Sequence, residues 1–262
     1  MIRLIASDID GTLLPEYSTV LPDAVFSMIR ELKKQGIAFC AASGRQYANL
    51  RRLFAPVADE IYYICENGAV VYGMGAEEPL LNKSVMKREL AEQLIHEIIS
   101  RRDCEVLVSG ANTSYLIPKA EEIVHCIRDS LGNNTVILKS AEEIPEDIIK
   151  VSAYCNPDTS LVQKELPQKW EPYFHSAVAG MQWLDFTLAD KGFGIQAICK
   201  ALQISPENVM AFGDNFNDVP MLSVVGAPVL MESAHPQLRE KFPVQCRSVP
   251  DYVQECLLHG NF

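Results

Sequence analysis

The stretch IRLIASDIDGTLL, residues 2–14, decides the fold prediction. Its first five residues, IRLIA, form a short and mostly apolar run, which predicts a buried strand. Asp8 and Asp10 follow this strand at once, and two carboxylates so close together repel each other. The repulsion costs stability unless something binds there, so the stretch indicates a strand that ends at a binding site. Because Asp and Gly are also common turn residues, the stretch by itself leaves an ordinary turn open.

Helices and strands alternate after this first strand. In the helix predicted at 22–35, Val25, Ile29 and Leu32 lie on one face. A strand at 37–42, a helix at 46–55 and a strand at 62–65 follow. The same alternation returns near the C-terminus, with a helix at 192–202, a strand at 208–212, a short helix at 217–224 and a strand at 228–231. This order predicts a doubly wound, Rossmann-like parallel sheet of the α/β class, built from both ends of the chain.

The middle of the chain has a different pattern. An amphipathic helix is predicted at 87–101, and the runs 104–109 and 113–117 are separated by the hairpin signal Gly-Ala-Asn. Strand-like runs recur at 148–155 and at 173–187, the second interrupted at Gly180. We therefore expect an α+β unit over residues 83–187, inserted into a core formed by residues 1–82 and 188–262.

Composition excludes several classes of protein. The 262 residues are 48% hydrophobic and 22% charged, as in ordinary globular proteins, and the net charge is −11. This acidity argues against nucleic acid or an anionic membrane as partner, since both attract basic surfaces. We find no signal peptide and no apolar run approaching the roughly 20 residues of a membrane span. The eight cysteines contain no C-x-x-C pair, so we expect reduced thiols in a cytoplasmic protein.

Polar clusters follow several predicted strands. Asp8–Thr12, Ser43–Arg45 and Gly213–Asp218 each come directly after a strand, and Lys191–Gly192 begins a helix. Each cluster alone has an ordinary explanation, as a turn, a helix cap or a solvated lysine. A calcium loop of the EF-hand type is excluded, because Thr19 stands where its glutamate belongs. Ligands of doubly wound sheets bind at the carboxyl ends of the strands, so together the clusters predict one site there.

The chain resembles the phosphatases of the haloacid dehalogenase superfamily, in particular the Cof-type branch with a large α/β cap inserted after the third core strand. The resemblance spans the whole chain, and its motifs are Asp8-Ile9-Asp10-Gly11-Thr12, Ser43 within Ala42-Ser43-Gly44-Arg45, Lys191, Gly213-Asp214 with Asn217-Asp218, and the ENGA segment at Glu66–Ala69.

The resemblance implies catalytic and metal-binding roles. Asp8 is the expected nucleophile, which forms an aspartyl-phosphate, and Asp10 is the expected general acid and base, with a pKa raised by partial burial and a neighbouring carboxylate. Mg²⁺ is the expected cofactor, bound by the side chains of Asp8 and Asp214 and by the backbone carbonyl of Asp10. Asp218 is expected to contact the ion directly or through water.

The resemblance also implies a phosphate site. Its expected members are Gly11, Ser43, Gly44, Lys191 and Asn217. Lys191 is also counted among the catalytic residues, as a cation in a site dominated by carboxylates. Thr12 is expected to steady the loop, whereas Arg45 could equally pack or pair outside the site.

The inserted unit is expected to cover this site and to select the substrate. Its candidate specificity residues lie in the connecting segments Asn112–Ser114 and His175–Met181, while Trp170 and Trp183 are expected to be packing residues. The leading hypothesis is a Mg²⁺-dependent phosphomonoesterase for small phosphorylated metabolites, above all sugar phosphates, acting as a monomer or a small homo-oligomer. Two alternatives stay open: a hexose phosphomutase, and a regulatory protein that binds a phosphorylated metabolite without turning it over.

Overall fold

The computed structural model describes residues 1–14, 18–77, 79–179 and 181–260. In chain order, its strands are β1 (Leu4–Ser7), β2 (Ala38–Ala42), β3 (Tyr62–Cys65), β4 (Val70–Tyr72), β5 (Leu80–Lys83), β6 (Cys104–Ser109), β7 (Ser114–Leu116), β8 (Thr135–Ile137), β9 (Lys150–Cys155), β10 (His175–Val178), β11 (Trp183–Thr187), β12 (Val209–Gly213), β13 (Ala227–Met231) and β14 (Gln245–Cys246). The α-helices are α1 (Asp23–Lys34), α2 (Tyr47–Leu53), α3 (Arg88–Ser100), α4 (Glu121–Val124), α5 (Glu165–Trp170), α6 (Lys191–Leu202), α7 (Val219–Val224), α8 (Pro236–Lys241) and α9 (Val249–His259).

The first sheet joins the two ends of the chain. Its eight strands lie in the order β14-β13-β12-β1-β2-β3-β4-β5. Neighbours from β14 to β3 are parallel, whereas β4 and β5 add an antiparallel edge. The strand β1 lies at the switch in strand order: Ser7 pairs with Phe212 of β12 on one side and with Ala41 of β2 on the other.

Helices cover both faces of this sheet. Side chains alternate along a strand, so Ile5 packs with α1, α2 and α9 on one face, while Leu4 and Ala6 pack with α6, α7 and α8 on the other. The predicted apolar face of α1 is confirmed, since Val25, Ile29 and Leu32 are all buried. Among the described residues, no helix combines the length and the apolar character that a membrane crossing requires.

The second sheet comes from the middle of the chain. Its six strands lie in the order β10-β11-β9-β6-β7-β8, and all neighbours are antiparallel except β7 and β8. One face packs against α3 through a separate apolar cluster that includes Ile95, Val106 and Phe186. The chain leaves the first sheet after Lys83 and returns to it after Thr187, next to the predicted boundaries of the inserted unit.

The predicted elements are confirmed in type, with small shifts at their ends. The strands at 62–65 and 104–109 have the bounds predicted, and the hairpin that follows Ser109 is present. The run 173–187 forms two strands, β10 and β11; Gly180, where the interruption was predicted, lies outside the described residues. The elements that were not predicted are the strands β4, β5, β8 and β14 and the helices α4, α5, α8 and α9.

Candidate active site

Three neighbouring parallel strands end at one edge of the first sheet. Asp8 follows β1, Ser43 follows β2 and Asp214 follows β12. Parallel strands direct their carboxyl ends to the same edge, and β1 lies where the strand order switches. The structure therefore brings together residues separated by about 200 positions in the sequence, as in the hydrogen bond that Thr12 Oγ1 donates to Asp214 Oδ1 over 2.9 Å.

An acidic cluster lies at the centre of this edge. Asp8, Asp214 and Asp218 each place a carboxylate oxygen within 4.8 Å of the other two. The Lys191 ammonium lies 2.5 Å from Asp8 Oδ1 and 2.5 Å from Asp218 Oδ1, and its side chain is fully buried. Asp190 caps the helix that Lys191 begins, because its carboxylate accepts a hydrogen bond from the backbone N–H of Phe193. One cation among three carboxylates leaves the cluster with an excess of negative charge.

Burial and this excess charge change the pKa values of the cluster. Burial and then the charge of Asp218 raise the pKa of Asp8 well above its ordinary value, although Lys191 opposes the change. Burial and Asp218 also raise the pKa of Asp214 to about 6. Burial by itself would lower the pKa of Lys191, but Asp218 and Asp8 outweigh it and raise that pKa, so Lys191 stays a cation. Both raised carboxyl pKa values would fall if a further cation bound beside them.

The donor atoms of the cluster fit a hard divalent cation. All three side chains offer oxygen, the ligand atom that Mg²⁺ prefers in proteins. Both carboxylate oxygens of Asp218 already accept hydrogen bonds within the protein. Its Oδ1 accepts from Lys191, and its Oδ2 accepts from the backbone N–H groups of Asp214 and Asn215. Asp8 and Asp214 are therefore the carboxylates best placed to hold an ion, with Asp218 fixing the turn that carries Asp214.

Gly11 lies directly against the cluster. Its φ of +84° lies in the left-handed region that favours glycine, and a Cβ at this position would lie 2.4 Å from Asp214 Oδ2. The resemblance assigned Gly11 to the phosphate site. In the structure, it is the side chain of Asp214 that leaves no room for a Cβ at this position.

The other predicted phosphate ligands line one pocket. Ser43, Gly44 and Asn217 share it with Asp8. The Ser43 hydroxyl is buried and accepts a hydrogen bond from the backbone N–H of Arg45, and Asn217 Nδ2 donates to Asn67 Oδ1 over 3.3 Å.

Asp10 has different surroundings from those predicted. Its carboxylate accepts two hydrogen bonds from Arg45, 2.9 Å from Nε to Oδ2 and 2.6 Å from Nη2 to Oδ1. The side chain is 55% exposed. The predicted burial beside a carboxylate is therefore wrong, because the side chain is mostly exposed and its carboxylate is paired with Arg45. Arg45, left open by the sequence, belongs to the pocket wall.

The pocket has a volume of about 400 Å³ and lies between the strand ends of the first sheet and one face of the second. We define the polar strip as Ser109, Lys150, Ser152 and Asp185, which line the pocket from the second sheet. These residues come from β6, β9 and β11, where Ser109 pairs with Lys150 and Ser152 pairs with Asp185. Leu107 and Trp183 lie two positions before Ser109 and Asp185 and line the same pocket.

The sequence analysis missed the polar strip, although a signal was present. Lys150, Ser152 and Asp185 alternate with buried apolar residues inside predicted strands, which places them on one face of the sheet. Of the described residues in the two segments predicted to carry specificity, only Ala179 lines the pocket. Trp170 packs against Phe174 as predicted, whereas Trp183 forms part of the pocket wall.

The polar strip is connected to the first sheet through the predicted ENGA segment. Lys150 Nζ lies 2.6 Å from Glu66 Oε2 and donates to the carbonyl oxygen of Gly44 over 3.1 Å. Asn67 Nδ2 donates to Asp185 Oδ2 over 2.8 Å. Glu66 and Asn67 both have positive φ values, 49° and 55°, a conformation that non-glycine residues keep only where their contacts hold it.

A larger cavity, of about 1050 Å³, lies between α1 and α9. None of the predicted catalytic, phosphate-binding or metal-binding residues lines it. Another cavity, of about 760 Å³, is lined by Lys191 and Asn217 but not by Asp8. The pocket that Asp8, Asp10 and Ser43 line is therefore the candidate active site.

Comparison with known proteins identifies the family. A family model described as haloacid dehalogenase-like hydrolase matches residues 5–251, nearly the whole chain. The chain belongs to this family. The predicted enzyme class, a phosphatase of the haloacid dehalogenase superfamily, is confirmed.

Curated relatives of this haloacid dehalogenase-like hydrolase cover most of its length. It is 27% identical to the 5-amino-6-(5-phospho-D-ribitylamino)uracil phosphatase YbjI of Escherichia coli strain K12, over 89% of this chain and 86% of that protein. It is 26% identical to the HMP-PP phosphatase of Escherichia fergusonii, over 93% of this chain and 89% of that protein.

Solved structures show the same fold as this hydrolase. The protein SMU.1108c from Streptococcus mutans has a TM-score of 0.88 at 22% identity and matches 98% of this chain and 100% of its own. The subclass IIB sugar phosphatase BT4131 has a TM-score of 0.80 at 21% identity and matches 99% of this chain and 100% of its own. The predicted α/β fold of the haloacid dehalogenase superfamily is therefore confirmed.

Proposed function

We propose that this hydrolase is a Mg²⁺-dependent phosphomonoesterase that cleaves small phosphorylated metabolites, sugar phosphates above all, through an aspartyl-phosphate on Asp8. One observation carries the proposal: Asp8 is buried at the end of β1, in ion-pair contact with Lys191 and clustered with Asp214, and it also lines the pocket.

Asp8 is the proposed nucleophile. One of its carboxylate oxygens attacks the phosphorus atom, the ester P–O bond breaks, and the electron pair leaves with the alkoxide, which takes a proton from Asp10. A water molecule then attacks the phosphorus of the aspartyl-phosphate and gives its proton to Asp10. Inorganic phosphate leaves, and the carboxylate of Asp8 and the acid form of Asp10 are restored.

Arg45 orients Asp10 for this role. Its two hydrogen bonds hold the carboxylate at the pocket wall. When Asp10 acts as the acid, the protonated oxygen donates to the leaving group, so its contact with Arg45 has to open. Arg45 is then a positioning residue that the substrate displaces in part.

The chain also supplies donors and charge for the phosphate. The Ser43 hydroxyl, the Gly44 N–H and the Asn217 amide are the proposed donors to its oxygens, and Lys191 offsets part of their charge. Asp8 and Asp214 are the proposed side-chain ligands of Mg²⁺, with the Asp10 carbonyl as a backbone ligand and Asp218 as a direct or water-mediated partner. When bound, the ion neutralises charge on the transferred phosphoryl group.

The relatives support a small phosphorylated metabolite as substrate. The name of one relative specifies a phosphate ester of a ribitylaminouracil, and the name of the other specifies HMP-PP.

The test is a phosphate-release screen over sugar phosphates, nucleotides and pyridoxal phosphate, with the Asp8→Asn protein as the blank. We expect release that EDTA stops and Mg²⁺ restores. Release that is unaffected by EDTA would refute the metal-dependent mechanism. Interconversion of hexose 1- and 6-phosphates without net release would establish the mutase instead, and binding without turnover would establish the regulatory protein.

A further inference from the structure

Within the part of the chain that the structure describes, the wall of the pocket that faces the phosphate site has no positive charge that is not already paired with a carboxylate of the protein. We propose that the polar strip selects an uncharged, hydroxyl-bearing leaving group, such as a sugar or a sugar alcohol, and rejects a leaving group that carries a second anion. The inference rests on the proposed function and deepens it, because it assigns substrate selection to Lys150 and Asp185.

Lys150 is the cation of the polar strip, and it is already paired. Its side chain is 7% exposed, and its ammonium lies 2.6 Å from Glu66 Oε2 and 3.6 Å from Asp185 Oδ2. It also donates to the carbonyl oxygen of Gly44. One ammonium beside two carboxylates has no net positive charge to offer a second anion.

The other cation that lines the pocket is Arg45, which Asp10 engages with both carboxylate oxygens. Every lysine or arginine of this pocket wall thus has a carboxylate partner among the described residues. A second phosphate or carboxylate group would have to break one of these pairs or remain unpaired beside Asp185 and Glu66, and either outcome costs binding free energy.

The pocket wall can form hydrogen bonds with the hydroxyl groups of a leaving group. Asp185 Oδ1 accepts from the Ser152 hydroxyl over 2.6 Å and Oδ2 accepts from Asn67, yet each carboxylate oxygen can accept two hydrogen bonds. Ser109 and Asn133 add a hydroxyl and an amide to the lining, and Trp183 adds an apolar ring. Alternating donors and acceptors beside an aromatic ring match the hydroxyl and C–H groups of a polyol.

A matched pair of substrates isolates the effect of a second negative charge on kcat/KM. Sorbitol 6-phosphate and 6-phosphogluconate have the same six-carbon chain and the same phosphate ester, and differ at C1, which is a hydroxymethyl group in the first and a carboxylate in the second. We expect kcat/KM to be at least about tenfold higher for sorbitol 6-phosphate, as an unpaired charge in a buried site requires. Equal values, or a preference for 6-phosphogluconate, would overturn the proposal.

Variants assign the effect to the polar strip. Asp185→Asn removes one negative charge from the pocket wall, so we expect the preference for sorbitol 6-phosphate to fall at least about threefold. Asp147→Asn removes a carboxylate of the same unit that is 56% exposed and pairs with Lys83, so it should leave the preference unchanged. An equal fall in both variants would overturn the assignment to the polar strip.

The outcomes separate this inference from the proposed function. Hydrolysis of p-nitrophenyl phosphate that Asp8→Asn abolishes shows that the phosphatase works, and a missing preference then refutes the inference alone. No hydrolysis of any of the three esters refutes the proposed function and the inference with it. If Asp185→Asn does not fold, as circular dichroism reports, the wild-type pair of substrates still decides the proposal.

Discussion

At the scale of single residues, Lys191 sets the charge balance of the candidate active site. It is fully buried, and it contacts Asp8 and Asp218 at the same time. With one cation against three carboxylates, the cluster favours either protons or a bound metal ion. The same contact fixes the orientation of Asp8, which its proposed role as nucleophile requires if it is to meet the phosphorus atom in line.

The first prediction concerns Asp8. The amide of Asp8→Asn cannot attack phosphorus, so we expect phosphate release to fall at least about 1000-fold with an unchanged circular dichroism spectrum. The control is Asp129→Asn, which alters an exposed carboxylate paired with Arg128, and it should keep full activity. Activity of Asp8→Asn above a tenth of the wild-type value would contradict the assignment.

The second prediction concerns Asp10. Asp10→Asn can neither protonate the leaving group nor accept a proton from water, so kcat should fall by about 100-fold to 10,000-fold, the range of general acid–base catalysis. KM should change far less, because the side chain is not a proposed ligand of the phosphate. Steady-state kinetics with one substrate measures both values, and an unchanged kcat would exclude Asp10 as the acid and base.

At the scale of secondary-structure elements, the turn between β3 and β4 holds several parts of the site together. Glu66 contacts Lys150, Asn67 contacts both Asp185 and Asn217, and Gly68 lies against the start of α6. The helix α6 begins with Lys191, so the turn supports the residue that offsets part of the charge of the acidic cluster. The ENGA segment thus links the second sheet to the catalytic edge of the first.

The third prediction tests this turn with a pair of glycines. Gly68 and Gly75 both have positive φ values, 101° and 111°, but a Cβ on Gly68 would lie 2.0 Å from the carbonyl oxygen of Asp190, whereas a Cβ on Gly75 meets open space. Gly75→Ala should therefore cost about 1–2 kcal/mol of unfolding free energy, from backbone strain alone. Gly68→Ala should cost about 3 kcal/mol or more, because the clash adds to the strain. Urea denaturation measures both, and equal losses would show that the contact with Asp190 is unimportant.

At the scale of the whole molecule, the candidate active site depends on the pairing of strands from both ends of the chain in the first sheet. The acidic cluster takes Asp8 from the N-terminal half of this sheet and Asp214 and Asp218 from its C-terminal half. Burying these carboxylates opposes folding, and apolar packing on both faces of the sheet has to offset that cost. A bound Mg²⁺ ion should therefore stabilise the whole fold and not the loops alone.

The fourth prediction concerns pH and stability of the metal-free protein. The pKa of Asp214 is about 6 in the folded state against an ordinary value of 3.8, so between these pH values the folded state binds more protons than the unfolded state. Its contribution to stability is therefore fully present below pH 3.8 and is lost as the pH rises through about 6, by up to about 3 kcal/mol. Urea denaturation from pH 4 to pH 7 measures this loss as the difference in unfolding free energy between the wild type and Asp214→Asn.

Magnesium supplies the complementary measurement. At pH 7, adding Mg²⁺ should raise the melting temperature of the wild type far more than that of Asp214→Asn, because the ion replaces the missing protons. If the unfolding free energy of the wild type increases relative to that of Asp214→Asn as the pH rises, the pKa assignment is contradicted. An equal response of both proteins to Mg²⁺ would contradict the proposed ligand.

Local patterns in the sequence were sufficient for most of the fold and for the residues at the strand ends. These patterns are properties of neighbouring residues: the helical spacing in α1, the short apolar runs of β1 and β12, and the polar residues that follow them. They predict both the α/β class and the edge of the sheet at which a ligand binds.

Three features were not predictable in this way: the polar strip, the pairing of Asp10 with Arg45 and the contact of Gly11 with Asp214. They depend on the register of strands far apart in sequence and on which face of the second sheet lies over the first. The sequence by itself therefore determined the strands, the helices and the polar residues at the strand ends, because periodicity and turns are local, while the roles expected of those residues came from the family resemblance. Only the tertiary structure decided which charges lie beside one another and which residues of the second sheet face them, because electrostatic interactions depend on distances that only the folded chain defines.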